Sequence, residues 1–408
     1  MKIFRLFVAF TLVCFALSRS AQAVVPPPDG GYPNFTTAEG DHALQHLTGG
    51  FGNTAIGTFS LFSVSNGNFN TAIGAGSLDL NNANSNTAVG AAALLFNTTG
   101  TENTAVGTAA LEFNETSEQN TATGAFALFS HISGNGNTAH GWHALFSDTT
   151  GQLNTAIGIA ALANDNNGFN GSFNTAVGAS ALFANNGGDN TAVGAQALQS
   201  NTSGNDNTAI GISALVVNQT GDHNIAIGNF AGAGLQSGSD NIYIGANLSG
   251  APSESNACYI KSIFGQTNNL GSAVFIDANH KLGTLTSSKR FKENIQPMDK
   301  VSEALFTLKP VSFRYKKEID PVGKPQFGLV AEEVEKVNPD LVVRDQEGKP
   351  YSVRYEQVNA MLLNEFLKEH QTVQELKKQV AELTAGLQKV SAQLELNKPA
   401  PQTALNNR

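Results

Sequence analysis

The pentapeptide Asn-Thr-Ala-Ile/Val-Gly, or a close variant of it, begins at Asn53, Asn70, Asn86 and Asn103 and recurs as far as Asn241. Most copies stand 17 residues apart; two steps of 16 (Asn70 to Asn86, Asn174 to Asn190) and one of 20 (Asn154 to Asn174) interrupt the count. A degenerate copy, Thr36-Thr37-Ala38, precedes the first by another 17. A period this short predicts a solenoid, because one coil cannot bury its apolar side chains except by stacking on its neighbours. Five residues from Asn to Gly suit one short strand per coil, with Thr and Ile/Val on one face and Asn, Ala and Gly on the other.

The variant copies predict which face is inside. Ile225 and Ile242 replace Thr, which assigns the Thr and Ile/Val face to the interior, and Tyr243 replaces Ala, which assigns the Ala face to the outside. Thr123 and His140 stand where Ile or Val is expected and depart from the pattern. Gly closes each strand where the chain must turn with positive φ or approach another backbone closely. Asn tolerates turn dihedrals and bonds neighbouring backbone, so stacked copies predict an Asn ladder. A Thr ladder on a flat face would suit ice binding; burying it argues against that use.

This pattern resembles the heads of trimeric autotransporter adhesins over roughly residues 36–250, with a longer period than that family's usual one. The resemblance implies left-handed parallel β-rolls in a homotrimer. The family's membrane-anchoring C-terminal barrel has no counterpart here.

Charge is divided unevenly. From Val24 to Thr284 the only cations are Lys261 and Lys281 against 16 acidic residues, whereas from Leu285 onward 19 Lys and Arg face 17 Asp and Glu. An acidic, nearly lysine-free array repels phosphate backbones, so no nucleic-acid partner is expected for it. Residues 1–23 read as a secretory signal: Lys2 and Arg5, the apolar run Leu6 to Leu17, then Ala21-Gln22-Ala23. Export to the extracellular space, cell surface or periplasm is therefore expected. Cleavage leaves Cys258 as the sole cysteine, which excludes an intramolecular disulfide. No later stretch reads as a transmembrane helix, and no pattern for a metal or other cofactor is found.

Beyond Gly250 the period is lost. Cys258 to Gly265 and Ala273 to Asp277 read as strands, with a turn at Asp277 to His280. The order Ser287, Arg290, Lys292, Asn294, Ile295, then Leu308-Lys309-Pro310-Val311-Ser312-Phe313-Arg314-Tyr315, Gly328-Leu329-Val330-Ala331-Glu332-Glu333-Val334 and Tyr355 resembles the intramolecular chaperone domain of phage endosialidases and tail spikes, a self-cleaving serine peptidase family. The resemblance implies that the domain trimerises the β-rich chain before it and then cuts itself off. It makes Ser287 the nucleophile, Lys292 the general base and Thr286-Ser287 the cleaved bond, with Arg290, Asn294, Gly328 and Glu332 in supporting motifs. A serine hydroxyl needs such a base. A lysine serves only when neutral, which takes desolvation or cationic neighbours such as Lys289 and Arg290. Alone, Ser287 and Ser288 would read as helix caps or turn residues. The family often has Asp after the nucleophile; here Ser288 follows.

Phe366, Val373, Val380, Leu387 and Leu394 at a, with Leu362, Leu376, Leu383 and Val390 at d, predict a coiled-coil helix. The expected fold is thus mainly β: a β-roll solenoid over 24–250, a β connector over 251–286, an α+β chaperone and autopeptidase domain over 287–358, a coiled-coil helix over 359–396 and a disordered end over 397–408. The function expected is an exported homotrimeric fibre, adhesin-like, with an unidentified surface or matrix ligand. Two alternatives are the same fibre with an uncleaved cap, and a glycan-degrading spike, which calls for an acid pair on a regular face. Glu112, Glu115 and Glu118, and the irregular coil near Asn166 to Phe173, are the places to look for that pair.

Overall fold

The computed structural model describes residues 33–164, 171–266 and 271–397; the expected signal segment, most of the irregular stretch at 166–173 and the last eleven residues lie outside them. The chain divides into two units at 267/268. In the first, fourteen three-residue strands, β1 (Thr37–Glu39) to β14 (Cys258–Ile260), pair in sequence order as one parallel sheet. Like residues pair with like: Thr104 with Thr121, Ala105 with Ala122, Val106 with Thr123. β14 pairs in register with β13 (Ile242–Ile244), so the solenoid runs one coil past Gly250, where the sequence reading ended it.

The structure reverses the expected inside and outside. Ala55, Ala72, Ala88 and their successors are wholly buried, whereas Ile56, Ile73 and Ile157 stay about 40% exposed. Ala fits because the coil is thin at the strand: a larger residue would hold the walls apart. The bulk of the core comes instead from a Leu column, Leu61 through Leu215, four residues beyond each Gly, each burial contributing roughly 1.5–3 kcal/mol. Thr and Ile/Val point out. The swaps at Ile225 and Ile242 therefore extend an outward apolar surface, and the buried-ladder argument against ice binding no longer stands.

Tyr243 is the second correction. It is completely buried, not outward. In the preceding coil Gly232 stands in the Leu column, and a Cβ on it would lie 2.8 Å from Leu215 and 3.0 Å from the Tyr243 ring. The ring fills space that a leucine occupies elsewhere, so a large residue in one column is matched by the loss of one in another.

Two interior ladders hold the coils together. Each repeat Asn accepts the backbone N–H of the next at 2.8–3.1 Å, as Asn53 does from Asn70 and Asn120 from Asn137. Its amide donates to a carbonyl of the adjoining turn, as Asn103 does to Ser117 at 2.8 Å. Both groups are buried, so their satisfaction is obligatory. The second ladder, eleven residues after the first, was not foreseen: Asn97 donates to Asn81 at 2.6 Å, Asn114 to Asn97 at 2.7 Å and Asn201 to Asn185 at 2.6 Å. His131 and Asp148 interrupt it, both fully buried, with His131 Nδ1 3.3 Å from Asp148 Oδ2. The expected glycine corner is present. Gly107 has φ 139°, and a Cβ there would sit 2.5 Å from the Gly124 carbonyl oxygen.

In the second unit β15 (Val274–Ile276) and β16 (Leu282–Thr284) form an antiparallel hairpin across the expected turn. A 3₁₀ segment spans Asp299–Thr307. β17 (Val311–Phe313) pairs with β18 (Gln326–Gly328), α1 (Ala331–Val337) follows, and β19 (Val342–Arg344) pairs with β20 (Pro350–Val353). The 42-residue α2 (Tyr355–Leu396) ends the described chain. Val334, Leu341, Val342, Val353 and Met361 make a small core. No described helix is long and apolar enough to cross a membrane.

Candidate self-cleavage site

Ser287 stands three residues past the end of the β15–β16 hairpin, and the hairpin fixes where that segment starts. Asp277 Oδ1 accepts the N–H groups of Asn279 and Lys281 at 2.9 Å each, which closes the turn. Gln346, in the turn between β19 and β20, donates to the Ala278 carbonyl at 2.7 Å and so ties the hairpin to the rest of the unit.

From Thr286 the chain is extended and exposed. Ser288, at φ −65° and ψ 136°, precedes a single 3₁₀ turn, Lys289–Phe291, whose closing bonds are Phe291 N–H to the Ser288 carbonyl (3.0 Å) and Lys292 N–H to the Lys289 carbonyl (3.1 Å). Neither serine caps this turn with its side chain. Arg290 lies 4.6 Å over the Phe291 ring, which holds one of the two cations expected beside Lys292. Ser287 and Lys292 are both exposed and share no hydrogen bond. One 3₁₀ turn thus separates the pair in sequence without joining them, and Lys292 is exposed among the described residues.

The supporting residues are further off. Asn294 takes φ 51° just after the turn. Gly328 ends β18, where a Cβ would meet the Tyr355 hydroxyl at 2.9 Å; that hydroxyl accepts the Leu329 N–H at 3.0 Å. Two motifs far apart in sequence thus meet, and Gly328 has a packing reason. Glu332 is exposed in the first turn of α1, with no ion pair.

A second polar cluster was not anticipated. Buried Ser302 donates to Glu365 of α2, Asn364 donates to Ser302 at 2.7 Å, and Lys368 donates to the Asp299 carbonyl and to Glu365, each at 2.6 Å. Lys368, then Ser302, bonds the Glu365 carboxylate and holds its pKa below the usual range. The cluster clamps the 3₁₀ segment to α2.

The acid pair that a glycan-cleaving spike calls for is not formed by Glu115 and Glu118, which lie exposed in a turn. Glu112 is partly buried in a column otherwise rich in Phe, and burial raises its pKa to about 7. Asp79, two coils away in the same column, is raised by burial as well.

Against known families, residues 287–343 match the model described as chaperone of endosialidase, and the match begins at Ser287. No curated protein matches the chain. The second unit thus carries an endosialidase-type chaperone domain, preceded by a β-solenoid.

Proposed function

We propose that the chain is an exported homotrimeric fibre with an adhesin-head-like solenoid, whose C-terminal unit aligns three copies and then detaches by cutting Thr286-Ser287. The observation that carries this reading is the chaperone match, which begins at Ser287. Unpartnered apolar surface in both units supports it. In the solenoid it is the outward Ile/Val column. In α2 it is the heptad seam, where Phe366, Val380, Leu383 and Leu387 are all at least 60% exposed. Such a seam is the pattern of a helix made to pair with copies of itself.

Assembly from one end has a physical rationale. Coils that repeat every 17 residues can mate one step out of register at little cost, and a clamp that fixes one end removes that choice while raising the local concentration of partner strands. Assembly also supplies what the single chain lacks, exclusion of water around Lys292. In the reaction, neutral Lys292 takes the Ser287 hydroxyl proton as Oγ attacks the Thr286 carbonyl carbon. The amide nitrogen leaves as the Ser287 α-amine, and water hydrolyses the resulting ester to a Thr286 carboxylate.

Expression of the full chain tests this. The expected products are a 122-residue fragment starting at Ser287 and a trimeric mass by light scattering; Ser287→Ala should abolish the fragment and keep the mass. An uncut wild-type trimer would refute the peptidase step. That result would favour the permanent cap, a reading supported by Ser288 standing where the family often has Asp.

A further inference from the structure

The outward column at the fourth position of the pentapeptide is Ile or Val in eleven of fourteen coils. Glu39 opens it, and Thr123 and His140 break it in two adjacent coils near its middle. His140 pairs in register with Thr123 on one side and Ile157 on the other. Its ring is exposed, and neither nitrogen has a hydrogen-bond partner among the described residues. This sets it apart from His131, buried against Asp148 and bonded to the Gly134 carbonyl at 2.8 Å, and from His223, which lies 3.7 Å from Asp206 and 3.5 Å from Asp240.

An imidazole on an apolar mating face is costly unless its nitrogens find partners there. In a parallel assembly with cyclic symmetry, equal residues of every chain lie at equal height around the axis. If the Ile/Val column is the face that meets its copies, three His140 rings converge at one level, with three Thr123 hydroxyls one strand spacing of about 4.8 Å away. We propose that His140 from three copies forms a site for a divalent transition metal of the zinc class on the trimer axis; this rests on the trimeric reading above. Three imidazoles with an open fourth position for water are a familiar zinc donor set, and imidazole selects zinc, nickel and copper over calcium and magnesium. No carboxylate interrupts the column in the coils next to His140, so hard cations have no ligand there. The Thr123 hydroxyls can accept the second ring N–H and orient the rings.

Full-length protein, prepared without a polyhistidine tag, is sized by light scattering, equilibrated with Zn²⁺ and analysed for bound metal; Co²⁺ replaces Zn²⁺ for visible absorption. The expected result is one Zn²⁺ per three chains and cobalt bands of a tetrahedral site. Both should be lost in His140→Val with the trimeric mass unchanged, and both should survive His223→Asn. A trimer without stoichiometric metal, or metal retained in His140→Val, overturns the site. A single-chain mass overturns the trimeric reading itself, and the site with it.

Discussion

Replacing His131 by Asn should destabilise the solenoid more than replacing Asp148, and replacing both should restore it. His131 Nε2 donates to the Gly134 carbonyl at 2.8 Å, and Nδ1 faces Asp148 Oδ2 at 3.3 Å. Asp148 Oδ1 accepts the Gly151 N–H at 2.8 Å. In His131→Asn the buried carboxylate keeps that one bond and loses the ring that faces its other oxygen, and removing one partner of a buried pair costs roughly 3–5 kcal/mol. In Asp148→Asn the new amide can donate to Nδ1, so the loss is about 1 kcal/mol. The double variant rebuilds the ladder that Asn114 and Asn97 begin and should lie within about 1 kcal/mol of wild type. Denaturant melts of all four proteins, with amide exchange read at residues 131–151, give the cycle. A double variant as unstable as His131→Asn would refute the claim that ladder continuity, and not the ion pair, is what this site requires.

Glu112 gives a pH prediction. Burial raises its pKa from 4.5 to about 7, so the fold favours the protonated acid. The stabilisation is present below pH 4.5 and lost as pH rises through about 7. It is worth at most about 3 kcal/mol, before screening at a partly exposed site lowers it. Melting curves of Glu112→Gln should be flatter than wild type across that window, and equal slopes would reject the assignment. Gly107→Ala forces a Cβ onto the Gly124 carbonyl and should lower the midpoint of unfolding by several degrees or prevent folding; an unchanged midpoint would show that the corner can open. Val193→Lys, on the outward column, should leave circular dichroism intact and reduce the mass seen by light scattering, whereas a full-mass assembly would mean that the column faces water. If the proposed assembly covers the Thr face, ice-growth assays on intact protein show no thermal hysteresis; hysteresis would place that face on ice instead.

The repeat made the strands, their parallel register, the Gly corner and the Asn ladder legible, since each follows from spacing and backbone chemistry. The assignment of faces was not legible, for a physical reason. Replacing Thr by Ile marks a face that avoids water, and a face shared with another copy avoids water as a core does. Only the size of the residues separates the two: Ala fits the thin interior and Ile does not. Tyr243 misled for a similar cause, because the room for its ring is made by Gly232 eleven residues earlier. Ser287 and Lys292 were named through ordered motifs, and the structure places both on an exposed segment without a hydrogen bond between them.

The step from Asn154 to Asn174 carries three surplus residues, yet Thr155 and Thr175 remain paired and Asn154 still bonds Asn174 at 2.9 Å. The Gly edge of the coil admits not even a methyl group, while a step three residues longer leaves the strands on either side of it in register. Foreign epitopes or enzymes could therefore be grafted between Asn154 and Asn174, and the array would carry them as a molecular pegboard.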